Sequence, residues 1–75
     1  MRRLPVLSGR DVIRALQKAG FEIHHQRGSL VILKQTSPPH LRIPVPDHQT
    51  VKRGLLRAII REAGLTREQF EKLLE

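Results

Sequence analysis

The chain contains no cysteine, no tryptophan and no tyrosine, and only seven acidic residues stand against fourteen lysines and arginines. Without cysteine there is neither a disulfide framework nor a zinc–thiolate site to hold a small fold together. A 75-residue chain must then rely on packing alone. That is demanding, because a domain this small buries only about 60% of the surface its unfolded chain exposes. No apolar run approaches the roughly 20 residues of a membrane span, and the opening MRRLPVLSG lacks the apolar stretch of a secretion signal. The expectation is one domain over residues 1–75, soluble and cytoplasmic, with no membrane partner. Phe21 and Phe70 are the whole aromatic complement, too few for a platform that stacks single-stranded bases.

What is present is positive charge. A formal net charge of +7 draws a protein to polyanions through phosphate neutralisation and counterion release. A merely solvated basic surface would have the same composition. With so few aromatic rings, contact to a nucleic-acid backbone and its shape fits better than base stacking.

Two periodicities organise the chain. Ser8 is a good helix N-cap with Asp11 in the capping-box position. Val12, Ile13, Leu16 and Ala19 recur at helical spacing before Gly20, which predicts a helix over 9–19. FEIHHQ (21–26) alternates as a half-buried strand, Arg27-Gly28-Ser29 reads as a turn, and LVILKQ (30–35) as a second strand. The prolines of TSPPH (36–40) cannot continue a central strand. LRIPVP (41–46) reads as a third strand, at an edge because Pro44 and Pro46 lack ladder donors. From Val51 the helical period returns through Leu55, Leu56, Ile59, Ile60 and Ala63 to Gly64, with those four large residues as a core stripe. Thr66 and Gln69 make a second capping box for a last helix carrying Phe70, Leu73 and Leu74. The fold class is α+β, in the order αβββαα. It has a three-stranded antiparallel meander with helices on one face and the other face free for a partner.

The hairpin admits two registers. A two-residue Gly-Ser turn pairs Arg27 with Leu30 and sets His25 opposite Ile32. A three-residue Arg-Gly-Ser loop pairs Gln26 with Leu30 and puts His24 on the same face. The second is preferred, because it buries Phe21 and Ile23 with Val31 and Leu33 and leaves position 30 facing outward.

LSGRDVIRALQKAGFE (7–22), QRGS (26–29) and VPDH…GLLRAIIREAGLTREQF (45–70) together resemble the HicA toxins, also called YcfA-like proteins. The resemblance runs over nearly the whole chain. It implies a fold similar to a double-stranded-RNA-binding domain, an activity as a messenger-RNA interferase of a type II toxin–antitoxin system, no cofactor, and neutralisation by a HicB-like antitoxin. The family's turn reads Gly-Ser-His, and that histidine is the catalytic residue. Here Gly28 and Ser29 match but the third residue is Leu30. Leucine has no donor, acceptor or titratable group. Positioned acid–base transfer commonly contributes about 10² to 10⁴ in rate, so the expectation is an impaired ribonuclease. An inactivating change that lets a toxic protein be made, or a variant that only binds RNA or antitoxin, would each account for Leu30.

His24 and His25 are the candidate surrogates, one strand from Leu30; their plainer reading is exposed polar strand residues. His48, in the matching VPDH segment, reads as a turn histidine or cap, with RNA or antitoxin contact as the alternative. His40 is a loop residue. The four histidines lack the spacing of a metal site, so none is expected. Arg27, Gly28 and Ser29 at the turn, with Lys52, Arg53 and Arg57 opening the second helix, are the expected RNA contacts, extended by Lys34 and Arg42 on neighbouring strands. Arg10, Arg14, Lys18, Arg61, Arg67 and Lys72 read as solvated helix faces. Two further readings stand beside the toxin: a non-catalytic RNA- or antitoxin-binding module, and a structural protein whose basic surface meets an acidic partner.

Overall fold

Ser8 sits in extended backbone geometry (φ −84°, ψ 164°) and its hydroxyl accepts from the Asp11 N–H, while the Asp11 carboxylate accepts from the Ser8 N–H. This reciprocal cap opens helix α1, Gly9–Lys18, in the computed structural model, which describes residues 5–75. Gly20 ends the helix with φ +96°, a left-handed geometry that a residue without Cβ adopts freely. Strands β1 (Phe21–Arg27), β2 (Leu30–Gln35) and β3 (Arg42–Pro46) follow, then α2 (Arg53–Glu62) and α3 (Arg67–Leu73). Thr66 and Gln69 form the expected second capping box. The sheet is antiparallel in the order β1-β2-β3, and the αβββα order matches a double-stranded-RNA-binding-domain-like arrangement.

All three helices lie on one side of the sheet. α1 packs on β1, β3 and α3, and α2 packs on β3 and α3. Between these layers sit Val12 and Leu16 of α1, Phe21 of β1, Val31 and Leu33 of β2, Ile43 and Val45 of β3, Leu56 and Ile59 of α2, and Phe70 of α3. Phe70 is wholly buried, worth roughly 2–3 kcal/mol of hydrophobic stabilisation. Because side chains alternate along a strand, the burial of Val31 and Leu33 sends Leu30, Ile32 and Lys34 to the helix-free side.

Four sequence expectations are corrected. The hairpin uses neither register throughout. Arg27 pairs with Leu30, Gln26 with Val31 and His25 with Ile32, as a two-residue turn requires, whereas Ile23 pairs with Leu33 and Phe21 with Gln35, as the three-residue loop would have it. One extra residue, His24, absorbs the difference as a β-bulge. Ile23 is 52% exposed rather than buried. It belongs to an edge strand and lies in an open groove with Arg10, Arg14 and Gln17, where α1 does not close over the sheet. Leu55 is likewise 42% exposed while Leu56 is buried. Consecutive helical residues point about 100° apart, so the pair cannot share one core face. Val51 precedes the helix and bridges Leu7, its N–H donating to the Leu7 carbonyl at 2.7 Å.

The two edges of the sheet differ. On β3 the N–H and C=O groups of Leu41 and Asp47 line the side facing β2, with Leu41 O accepting from Gln35 N and Asp47 N donating to Ser29 O. Pro44 and Pro46 fall at the alternate positions, so their nitrogens face away from the sheet. β1 carries no proline, and its ladder is broken at the His24 bulge. Among the described residues no helix is long and apolar enough to cross a membrane.

Candidate functional site

Gly28 takes φ +57° at the first central position of the hairpin loop, as II′ turns demand, and nothing lies within 4 Å of where a Cβ would stand. The Gln26 side chain folds over the turn and donates to the Gly28 carbonyl at 2.9 Å. Ser29 is then tied by its backbone to the segment after β3, accepting from Asp47 N at 2.6 Å. Position 30 follows at once. It opens β2, opposite Arg27 on one side and Pro46 on the other, with Leu30 38% exposed on the helix-free face.

His48 is brought to the same place. Its carbonyl accepts from Gly9 N at 2.8 Å, which fixes the segment against the start of α1. A Cβ on Gly9 would collide with the Pro46 carbonyl oxygen and fall 2.9 Å from Asp47 Cα, so this close approach needs glycine. His48 Nε2 lies 3.4 Å from Ser29 Oγ, at the long limit of a hydrogen bond. Of the four histidines, His48 is the one in polar contact with the turn. No local pattern signals this contact, because 19 residues separate the pair.

His24 and His25 stand further along β1. Their ring centroids are 5.2 Å apart with planes at 71°. His24 titrates below the ordinary histidine range, first because its ring is partly withdrawn from water and then because Arg42, His25 and Lys34 repel its proton. Lys34 and Arg42 are register partners across β2 and β3. The structure thus gathers the expected residues in two groups on the open side: Arg27, Gly28, Ser29 and Leu30 with His48 at the turn, and Lys34 and Arg42 with His24 and His25 at the far end of the strands.

Lys52 is the N-cap of α2, with no side-chain capping bond, and Arg53 is the first helical residue; the first turn has no acid. Two cations at the positive end of a helix dipole favour an anion there. Arg57 lies elsewhere, in a groove with Ile60, Arg61, Leu65 and Arg67 between α2 and α3. Three ion pairs are formed among the described residues: Arg10–Asp47 at 3.5 Å, and Arg14–Asp11 and Arg67–Glu71 at 3.2 Å each. None uses Arg27, Lys34, Arg42, Lys52, Arg53 or Arg57. Among the described residues no group of three or more histidine, cysteine, aspartate or glutamate side chains converges to hold a metal ion.

Residues 9–65 match the family model described as HicA toxin of bacterial toxin–antitoxin. No curated protein matches the chain significantly.

Proposed function

Because this chain belongs to the HicA toxin family, we propose that it is the RNA-directed toxin of a type II toxin–antitoxin pair, impaired in cleavage by Leu30 and neutralised by a HicB-like antitoxin. The observation that carries this reading is the position of Leu30. The residue lies at the mouth of a Gly-Ser turn, partly exposed, beside Arg27 and on the open sheet face. Such a frame suits chemistry on a phosphate backbone. Arg27 can neutralise phosphate oxygens, and the turn backbone can approach closely. A group at position 30 would take the proton of a ribose 2′-hydroxyl as its oxygen bonds to phosphorus and the bond to the next nucleotide's 5′-oxygen breaks. That oxygen leaves with a proton from water; leucine cannot accept the 2′-hydroxyl proton. What remains is binding. RNA-binding residues in this reading are Arg27, Gly28, Ser29, Lys34, Arg42, Lys52, Arg53 and Arg57. The catalytic position is Leu30, with His24, His25 and the turn-contacting His48 as the imidazoles available for residual proton transfer. The protein acts in the cytoplasm, where messenger RNA and antitoxin meet it.

The same observation favours a second reading, a module that binds RNA or antitoxin and no longer cleaves. Titrating a labelled single-stranded RNA into the purified chain at several salt concentrations tests the binding common to both. If about four phosphates are neutralised, log K against log [salt] should have a slope near −3. Replacing Lys52 and Arg53 with alanine should make the slope shallower. A salt-independent profile would overturn the electrostatic account. Detectable cleavage in the same samples separates the impaired enzyme from the binding module.

A further inference from the structure

In a regular strand His24 and His25 would point to opposite faces of the sheet. The bulge at His24 removes that alternation. His25 faces Ile32 on the open side, and His24 lines a hollow of about 340 Å³ with Glu22, Lys34 and His40 among its walls, within electrostatic reach of Arg42. Two imidazoles, an ammonium and a guanidinium therefore converge at one corner of the open sheet. Lys34 and Arg42 form no ion pair among the described residues. Glu22, opposite Lys34, is a carboxylate at the edge of the group.

We infer that this corner is a proton-responsive site for an RNA phosphate backbone, in which Lys34 and Arg42 hold phosphate oxygens at all pH values and His24 and His25 join them on taking up protons. The inference rests on the RNA-binding reading above and adds a location and a control to it. With the site empty, partial withdrawal from water and then Arg42, His25 and Lys34 oppose the charging of His24. A phosphate among them reverses the balance, so binding and proton uptake reinforce each other. The charged groups facing the pair are Arg27 and Glu22 on β1, Lys34 on β2, Arg42 on β3 and His40 in the preceding loop. Their arrangement favours RNA over an acidic protein. From Leu30 to Lys34 the strand advances about 13 Å. Arg27 stands at one end of that track, the imidazoles stand along it, and Lys34 and Arg42 close it, a linear series suited to successive phosphates leading to position 30.

The test measures binding of a mixed-sequence single-stranded RNA oligonucleotide to the purified protein at about pH 7.5 and about pH 5.5, where histidines are the side chains that titrate. Each proton taken up gives at most about a tenfold gain per pH unit. The expected result is binding about tenfold or more tighter at the lower pH. The double variant His24→Asn/His25→Asn, checked for folding by circular dichroism, should lose most of that gain, to about threefold or less. Lys34→Ala/Arg42→Ala should bind more weakly at both pH values. A folded double-asparagine variant that keeps the parent's pH dependence would overturn the assignment, placing the effect on His40 or His48. RNA binding that does not change with pH overturns the histidine site and leaves the RNA reading standing. No RNA binding at either pH overturns both. Proton-linked capture of an acidic protein by a chain without RNA affinity would give the corner to a protein partner instead.

Discussion

Replacing Leu30 with histidine puts an imidazole at the position to which the proposed function assigns proton transfer. With 38% of its surface exposed, Leu30 buries a little over half of what a leucine can. Full burial of such a side chain is worth roughly 1.5–3 kcal/mol. The contacts at risk therefore amount to about 1–2 kcal/mol, and the imidazole ring would retain part of them. A net loss of about 1 kcal/mol is a modest share of the roughly 4–11 kcal/mol expected for a domain of this length. The new ring would lie opposite Arg27 on the helix-free face. The expected gain in RNA cleavage is about 10² to 10⁴ over the parent. The assay is cleavage of end-labelled RNA by both purified proteins, with chelator present, beside a urea unfolding curve for each. A folded Leu30→His protein that cleaves no faster than the parent would falsify the claim that the rest of the site is intact. Equal, rapid cleavage by both would show that position 30 is not the proton-transfer position in this chain.

Charge reversal at Arg27 and Arg53 should each weaken the complex with a HicB-like antitoxin by about tenfold or more, measured by titration calorimetry; unchanged affinity would put the antitoxin on another face. Gly9→Ala should destabilise the fold by about 2 kcal/mol or more, because the new Cβ meets the backbone of Pro46 and Asp47 rather than a movable side chain. A melting temperature within a degree or two of the parent would contradict that collision. His24 has its folded-state pKa lowered, so the unfolded chain takes up this proton first as pH falls below about 6.5. Stability is thus lost across that window and levels off below the folded value. In urea titrations His24→Asn should lose less stability than the parent between about pH 7.5 and pH 5. Asp11, lowered chiefly by the Ser8 N–H and then by the Ser8 hydroxyl, acts in a separate and more acidic window, its stabilisation present above the ordinary aspartate value and lost as pH falls through the folded one.

The parts of this fold that the sequence reveals are those decided within one turn of chain. Ser8 with Asp11 and Thr66 with Gln69 announce helix starts, because each cap is a contact between residues three apart. Gly20 and Gly28 mark places that need positive φ. The hairpin register escaped because its two ends obey different demands. The Gly-Ser turn fixes the pairing at Arg27, the burial of Phe21 and Leu33 fixes it at the other end, and the two disagree by one residue. Nothing local says where that residue is expelled. The candidate site divides the same way. Arg27, Gly28, Ser29 and Leu30 are contiguous and legible as a motif, whereas the arrival of His48 beside Ser29 depends on how β3 leaves the sheet. Leu55 and Leu56 read alike as apolar letters, and the helix rotation alone buries one and exposes the other.

The edges of the sheet bear on whether copies of so small a fold can pair with one another. An exposed strand edge is a template on which a neighbouring molecule can hydrogen-bond. Along β3 the outward positions at Pro44 and Pro46 have no hydrogen to offer, so two carbonyls of a fourth strand would find no N–H donor. Along β1 the bulge shifts the spacing of the free groups halfway down, and a straight strand cannot stay in step with both halves. The sheet is thereby stopped at three strands from either side by two unrelated means. The same bulge that breaks the alternation of His24 and His25 also keeps copies of the molecule from growing onto one another.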